Sequence, residues 1–257
     1  MMQTTMLTNE RIKWAFVLFF AYLLFLLANI PANSLVKHLA TRGIRVNSST
    51  GSVWHGQVTG FHAGVLNLGN IEWRVRFLPM LAGKLAADVS VKQSDGYAQG
   101  RVSFNLFGKL QISELNASLP LQSLIGSGGL PGGWTGTAQA RFTELSFKQG
   151  WPISAHGTLD VIDLTGPSQQ PSNIGAYRLS FPVSGSNDVT LIGDLKDLDG
   201  ASIGVTGQLK LTTDRNYLLD TQVSPRANAP ASIISGMQYL GAADAQGRRP
   251  FSISGSF

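Results

Sequence analysis

Ile71-Glu72-Trp73-Arg74-Val75-Arg76-Phe77 is the stretch that decides the fold class. Ile71, Trp73, Val75 and Phe77 alternate with Glu72, Arg74 and Arg76. A period of two puts the apolar residues on one face of a strand and the charged residues on the other. The same period continues outward. Leu85, Ala87, Val89 and Val91 alternate next, followed by Val102, Phe104 and Leu106, then Leu110 and Ile112. Ala138, Ala140 and Phe142 repeat it after Trp134, as do Tyr177, Leu179, Phe181 and Val183. Ile203, Val205, Leu209 and Leu211 follow, then Tyr217, Leu219, Thr221 and Val223. These read as half-buried strands. Asp95-Gly96 and Asp199-Gly200 signal hairpins whose two central positions take positive φ.

Strand follows strand with no long helix between. Parallel pairing needs a crossover of a dozen or more residues, so parallel βαβ units are excluded. The expected fold is mainly β: a twisted antiparallel meander with short helices near both ends. One helix is expected over Leu35–Arg42, capped by Asn33 or Ser34 and ended by Gly43. Another is expected where Ile233, Ile234, Met237 and Leu240 share a face, before a last strand with Phe251 and Ile253. A weak echo links Gly51-Ser52-Val53-Trp54-His55-Gly56 with Gly132-Gly133-Trp134-Thr135-Gly136. It suggests two related β modules, 47–125 and 134–257, joined by a Gly-rich linker at 126–133.

The chain has 257 residues, 43 % hydrophobic and only 14 % charged, with 29 glycines, no cysteine and a net charge of +5. The apolar fraction is enough for a core, and the low charge suits an envelope protein. Without Cys there is no disulfide scaffold, thiol nucleophile or Cys-ligated metal. No basic run exceeds Arg248-Arg249, so a nucleic-acid face is not expected.

The segment from Trp14 to Ile30 carries no charge, and eleven of its seventeen residues are Phe, Leu, Val or Ile. As a helix it spans about 25 Å, slightly short of the hydrocarbon core. Trp14, Phe16, Leu18, Phe19, Phe20, Leu23, Leu24, Phe25, Leu26 and Leu27 form the expected membrane anchor. Cleavage after Ala28 or Ala32 places Leu26 or Ile30 at −3, both poor signal-peptidase sites. A retained anchor is the reading, with residues 1–13 as a cytoplasmic tail and 31–46 as a short helix and linker. The short tail and the long C-terminal part favour an exported β domain.

No catalytic set emerges. His38, His55, His62 and His156 lack metal-ligand spacing. There is no G-x-S-x-G elbow and no phosphate-binding loop. Asp194, Asp197 and Asp199 lack the further ligands of a calcium loop and read as a turn before a hairpin. Asp160 and Asp163, three apart on a strand, make a poor carboxylate pair. Neither a cofactor nor a metal is expected.

Taken in order, several pieces resemble one family. They are the uncharged segment, GSVWHGQVTG at 51–60, IEWRVRFLPMLAGKLAADV at 71–89 and LPGGWTGTAQ at 130–139. DLDGASIGVTGQL at 197–209 and SGMQYLGAADAQGRRPFSISG at 235–255 complete the set. Together they resemble the N component of the bacterial type II secretion pathway. The motif positions are Gly51, Trp54, Gly56, Trp73, Trp134, Gly136, Gly241, Asp244 and Gly247, each a structural or contact residue. The resemblance implies a single-pass inner-membrane protein of a Gram-negative bacterium with a periplasmic β domain. It implies an accessory, non-enzymatic role in contact with the secretin and inner-membrane platform subunits, and no catalytic residues. The W-x-G pieces also resemble the larger AsmA-like envelope proteins, which makes a lipid-handling groove the alternative. Exposed edges of an antiparallel sheet would give either partner class a strand to pair with.

Overall fold

The computed structural model describes residues 44–256 apart from 64–65, 106, 126–132, 167–172 and 183–189, together with 18–19, 22, 25–26, 29–34 and 36. Its described residues form one fourteen-stranded antiparallel sheet. Two short strands, β1 (Ile44–Arg45) and β2 (Ser48–Gly51), share one edge and both pair with β3 (His55–Ala63). The rest is an unbroken meander: β4 (Leu66–Arg76), β5 (Lys84–Lys92), β6 (Tyr97–Asn105), β7 (Lys109–Pro120), β8 (Thr135–Lys148) and β9 (Trp151–Thr165). It continues through β10 (Asn173–Phe181), β11 (Thr190–Asp197), β12 (Ile203–Thr212), β13 (Asn216–Pro225) and β14 (Arg249–Ser256). Short helices α1 (Gln122–Ile125) and α2 (Ala231–Met237) sit in the connections, with 3-10 turns at Leu78–Ala82 and Gln238–Leu240. Most of the helix expected over Leu35–Arg42 lies outside the described residues.

The period-two pattern becomes a continuous apolar face through the register. Val58 opposes Ile71, which opposes Val91, then Ala98, Ala117, Ala140, Leu159, Leu179 and Leu195. Around β8 to β12 the sheet curls over a buried cluster. Phe142, Ala155, Phe181 and Leu191 are buried there, with Leu115, Leu145, Leu209 and Leu211 packed around them. The Phe142 and Phe181 rings lie 6.1 Å apart. Two bonds tie the curl across strands that are not sequence neighbours. Trp151 Nε1 donates to the Thr212 carbonyl at 2.8 Å, and the Arg215 guanidinium donates to the Gln149 carbonyl at 3.2 Å.

The expected modules 47–125 and 134–257 hold β2 to α1 and β8 to β14. β7 pairs with β8, so the sheet is continuous across the junction. Of the Gly-rich stretch, 126–132 lies outside the described residues. Trp54 precedes β3 at one end of the sheet and Trp134 precedes β8 at the other, so the two W-x-G pieces occupy different surroundings.

Two sequence expectations need correcting. Asp95-Gly96 does close a hairpin, but through the four residues between Lys92 and Tyr97, with the Gln93 N–H donating to the Gly96 carbonyl. Neither central residue takes positive φ. Gly96 is needed for space: a Cβ there would stand 2.5 Å from the Ser118 carbonyl oxygen. At the second turn, Gly200 does take positive φ, at 84°. The Asp194 region belongs to strand β11, and only Asp199 and Gly200 form the turn.

Candidate interaction surfaces

The first surface is built on the turn Gly51–Trp54. Gly51, at φ 87°, lets the chain reverse out of β2, and the Ser52 N–H closes onto the His55 carbonyl at 2.9 Å. Trp73 Nε1 donates to the Val53 carbonyl at 2.9 Å, and the Val75 N–H donates to the Trp54 carbonyl at 2.7 Å. Gly56 lies directly opposite Trp73 in the register, and the indole covers it. A Cβ at Gly56 would stand 2.5 Å from that ring. The Trp54 ring tilts against Phe77, centroids 5.4 Å apart. Gly51, Trp54, Gly56 and Trp73 are thus one packed unit.

The same turn receives the exit of the hydrophobic segment. The Val53 N–H donates to the Ile30 carbonyl at 2.9 Å, Pro31 makes a β-bridge with Ser52, and Ala32 is 1 % exposed. Of the expected anchor residues, Leu18, Phe19, Phe25 and Leu26 are helical and exposed. Trp14, Phe16, Phe20, Leu23, Leu24 and Leu27 lie outside the described residues, as does the tail 1–13. Among the described residues no helix is long and apolar enough to cross a membrane.

The other motif residues are spread over the opposite end. The Trp134 ring lies over Gly166, and the Gly136 carbonyl accepts from the Leu121 N–H at 2.8 Å. Gly241, Asp244 and Gly247 belong to an exposed loop that Asp244 ties to itself. Its carboxylate accepts from the Gln246 N–H at 2.9 Å, the Arg248 N–H at 2.8 Å and the Arg248 guanidinium at 2.9 Å. The Arg248 N–H, first among these, holds the Asp244 carboxyl below its ordinary range. The Arg249 guanidinium donates to the Gly241 carbonyl and fastens the loop to β14.

On the polar face, an open groove of about 390 Å³ is lined by His55, Glu72, Arg74, Asp88, Arg101 and Glu114, among others. Arg101 bridges Asp88 at 3.2 Å and Glu114 at 3.2 Å, Arg76 meets Asp88 at 3.1 Å, and Lys92 meets Glu72 at 3.0 Å. These pairs are cross-strand ties. His55 and His62 share β3, and His62 Nδ1 is 2.8 Å from the Gly60 carbonyl oxygen. No group of three or more His, Asp or Glu side chains could hold a metal among the described residues.

Two polar clusters escape a reading by sequence spacing. Asp160 is buried and takes a bidentate pair from Arg178, with both N–O distances 2.7 Å. That carboxylate raises the Arg178 pKa further. Asp163 sits at a bulge with positive φ and accepts from Asn173 at 3.1 Å. At the corner below β10, the Tyr177 hydroxyl donates to the Ile174 carbonyl at 2.9 Å, beside an Asp197–Arg226 ion pair. Burial, then the Asp197 charge, pushes the Tyr177 pKa up to about 12. The signal for both clusters is opposite charge on same-face positions, but cross-strand register decides which charges meet.

Among the described residues no strand pairs with the outer side of β14, nor with that of β1 and β2. A family model for Type II secretion system (T2SS), protein N, matches residues 42–252, nearly the whole sheet. The chain belongs to this family. Relatives of the protein N family include "Type II secretion system protein N" of Aeromonas hydrophila, 26 % identical over 96 % of this chain and 99 % of its own length. The protein of the same name from Vibrio cholerae is 27 % identical over 83 % of this chain and 85 % of its own. No solved structure matches. The protein N match begins at residue 42, just before β1, so it covers the sheet and not the hydrophobic segment.

Proposed function

We propose that this chain is an accessory structural or assembly component of the type II secretion machinery, held in the inner membrane by residues 14–30 with its sheet in the periplasm. Residues 1–13 form the cytoplasmic tail. The partners are the secretin and the inner-membrane platform subunits. Gly51, Trp54, Gly56 and Trp73 shape the end of the sheet nearest the anchor, and Gly241, Asp244 and Gly247 shape the loop that feeds the last strand.

The observation that supports this reading is the open edge of β14, eight residues long and unpaired on its outer side among the described residues. A free strand offers a row of backbone donors and acceptors to an incoming strand, and side chains on alternate positions set the choice of partner. The test is crosslinking in the envelope, extraction in mild detergent and mass spectrometry. Recovery at full length, linked to secretin or platform subunits, is expected. Unchanged enzyme export and unchanged secretin-complex assembly on deletion of the gene would reject the proposal.

The second reading is an AsmA-like lipid carrier. It is favoured by the apolar face running on to Leu85, Phe104 and Ile253, which are 43–50 % exposed. Phospholipid co-purifying without secretion subunits would shift the assignment to it.

A further inference from the structure

The two ends of the sheet differ in chemistry. At the end holding the Gly51–Trp54 turn, the β4–β5 connection exposes Leu78 and Leu81 at 81 % and 88 %, and the β6–β7 turn exposes Phe107 at 90 %. Phe77 and Met80 are exposed beside them. Side chains this bare are costly in water, and a patch of them marks a contact surface. The basic residues at this rim include Arg76, Lys84, Lys109, Lys148 and Arg215, with Asp214 an acid in the β12–β13 turn, while neither connecting stretch, 77–84 or 105–111, contains an acid.

The chain itself says what lies there. The 17-residue apolar segment leaves off at Ile30, and Ile30 is hydrogen-bonded to Val53 at this same end. Pro31 bridges Ser52 beside it, so no slack tether separates segment from sheet.

We infer that this end of the sheet lies against the bilayer, with Leu78, Leu81 and Phe107 seated at the acyl–headgroup boundary and Lys84 and Lys109 on anionic headgroups. The inference rests on residues 14–30 being a membrane anchor. Exposed Leu and Phe gain by entering the interface, and lysines beside them gain from negative lipid. The strands then stand away from the membrane. β8, with 14 residues, carries the opposite end about 45 Å off the surface. Tyr239, 91 % exposed at that far end, stays in water.

The chain has no cysteine, so single-Cys labelling needs no background substitutions. The full-length protein is reconstituted in vesicles of phosphatidylethanolamine and phosphatidylglycerol. Leu18→Cys, Leu81→Cys, Phe107→Cys and Tyr239→Cys are each labelled with an environment-sensitive dye. All four positions are exposed, so the fold tolerates the change. Labels at 18, 81 and 107 are expected to emit to the blue and to be quenched by nitroxide-bearing lipid, while the label at 239 behaves as in water. Labels at 81 and 107 matching 239, with 18 still lipid-quenched, overturn the inference and leave the anchor standing. Labels at 81 and 107 shielded from aqueous quencher yet untouched by lipid quencher place a protein there and also overturn it. A label at 18 in water rejects the anchor and the inference together.

Discussion

Trp73 Nε1 donates to the carbonyl of Val53, twenty residues earlier, while its ring covers Gly56 on the neighbouring strand. One side chain therefore fixes both the turn and the strand that follows it. Trp73→Phe leaves the Val53 carbonyl without this donor and should cost about 1 kcal/mol. Gly56→Ala pushes a methyl into the ring and should cost about 1–3 kcal/mol. Denaturant unfolding of the full-length protein in detergent measures both. The double variant should cost less than the sum, because the two changes meet at one contact.

Asp160 and Arg178 form the most enclosed ion pair among the described residues, joined by two 2.7 Å bonds. Removing one partner strands a buried charge. Arg178→Ala should destabilise by roughly 2–4 kcal/mol, reduced from the fully buried case because the guanidinium is a third exposed. Asp160→Leu combined with Arg178→Met should recover most of that loss. An equal loss in the double variant would mean that the pair acts through packing alone.

The Asp244 loop should be acid-sensitive. Its carboxyl is held below the ordinary value, so its contribution is complete above about pH 4 and is lost as pH falls through the lowered folded value. Exchange protection of the Gln246 and Arg248 amides, followed by NMR through the acid range, should fall in that window. Asp244→Asn should abolish the pH dependence. Protection that ignores pH in the wild type would show that the carboxylate does not organise the loop.

Tyr177 gives the alkaline counterpart. Its pKa is raised to about 12, so the neutral phenol stabilises the folded state fully below about pH 10 and ceases to as pH climbs through 12. Tyr177 should ionise late in an ultraviolet titration. Tyr177→Phe should remove that late step. A native titration without a late step would contradict the desolvated Tyr177 hydroxyl.

The β14 edge is open to a direct test. A photo-crosslinker at Ser252 or Ser254, both exposed on β14, should capture secretion subunits in the envelope. The same group at Asp220, opposite Ser252 on β13, should capture far less. Equal capture at both strands would point to a face contact instead of strand pairing.

Much of this fold could be read from alternation alone. Ile71–Arg76, Leu85–Val91 and Ile203–Leu211 each lie within a strand of the expected phase, and the helix around Ile233 to Met237 lies where its spacing placed it. β9 was not legible. It opens on Trp151-Pro152, its pairing shifts near Phe142 and near Pro152, and Asp163 takes positive φ, so its alternation slips before it can be recognised. The Asp160–Arg178 pair was hidden for a related reason: its members are 18 residues apart, and only the β9–β10 register sets them side by side. The motif glycines were visible as letters, but Gly56 became intelligible only with Trp73 lying across it.

From β3 onward every strand pairs with the one before it in sequence. Each closure is therefore local and costs little chain entropy, so the molecule can be laid down from its N-terminus one hairpin at a time. The outer edge of β14 comes into being last. A partner that pairs with that edge therefore meets a chain whose earlier strands have all been made before it.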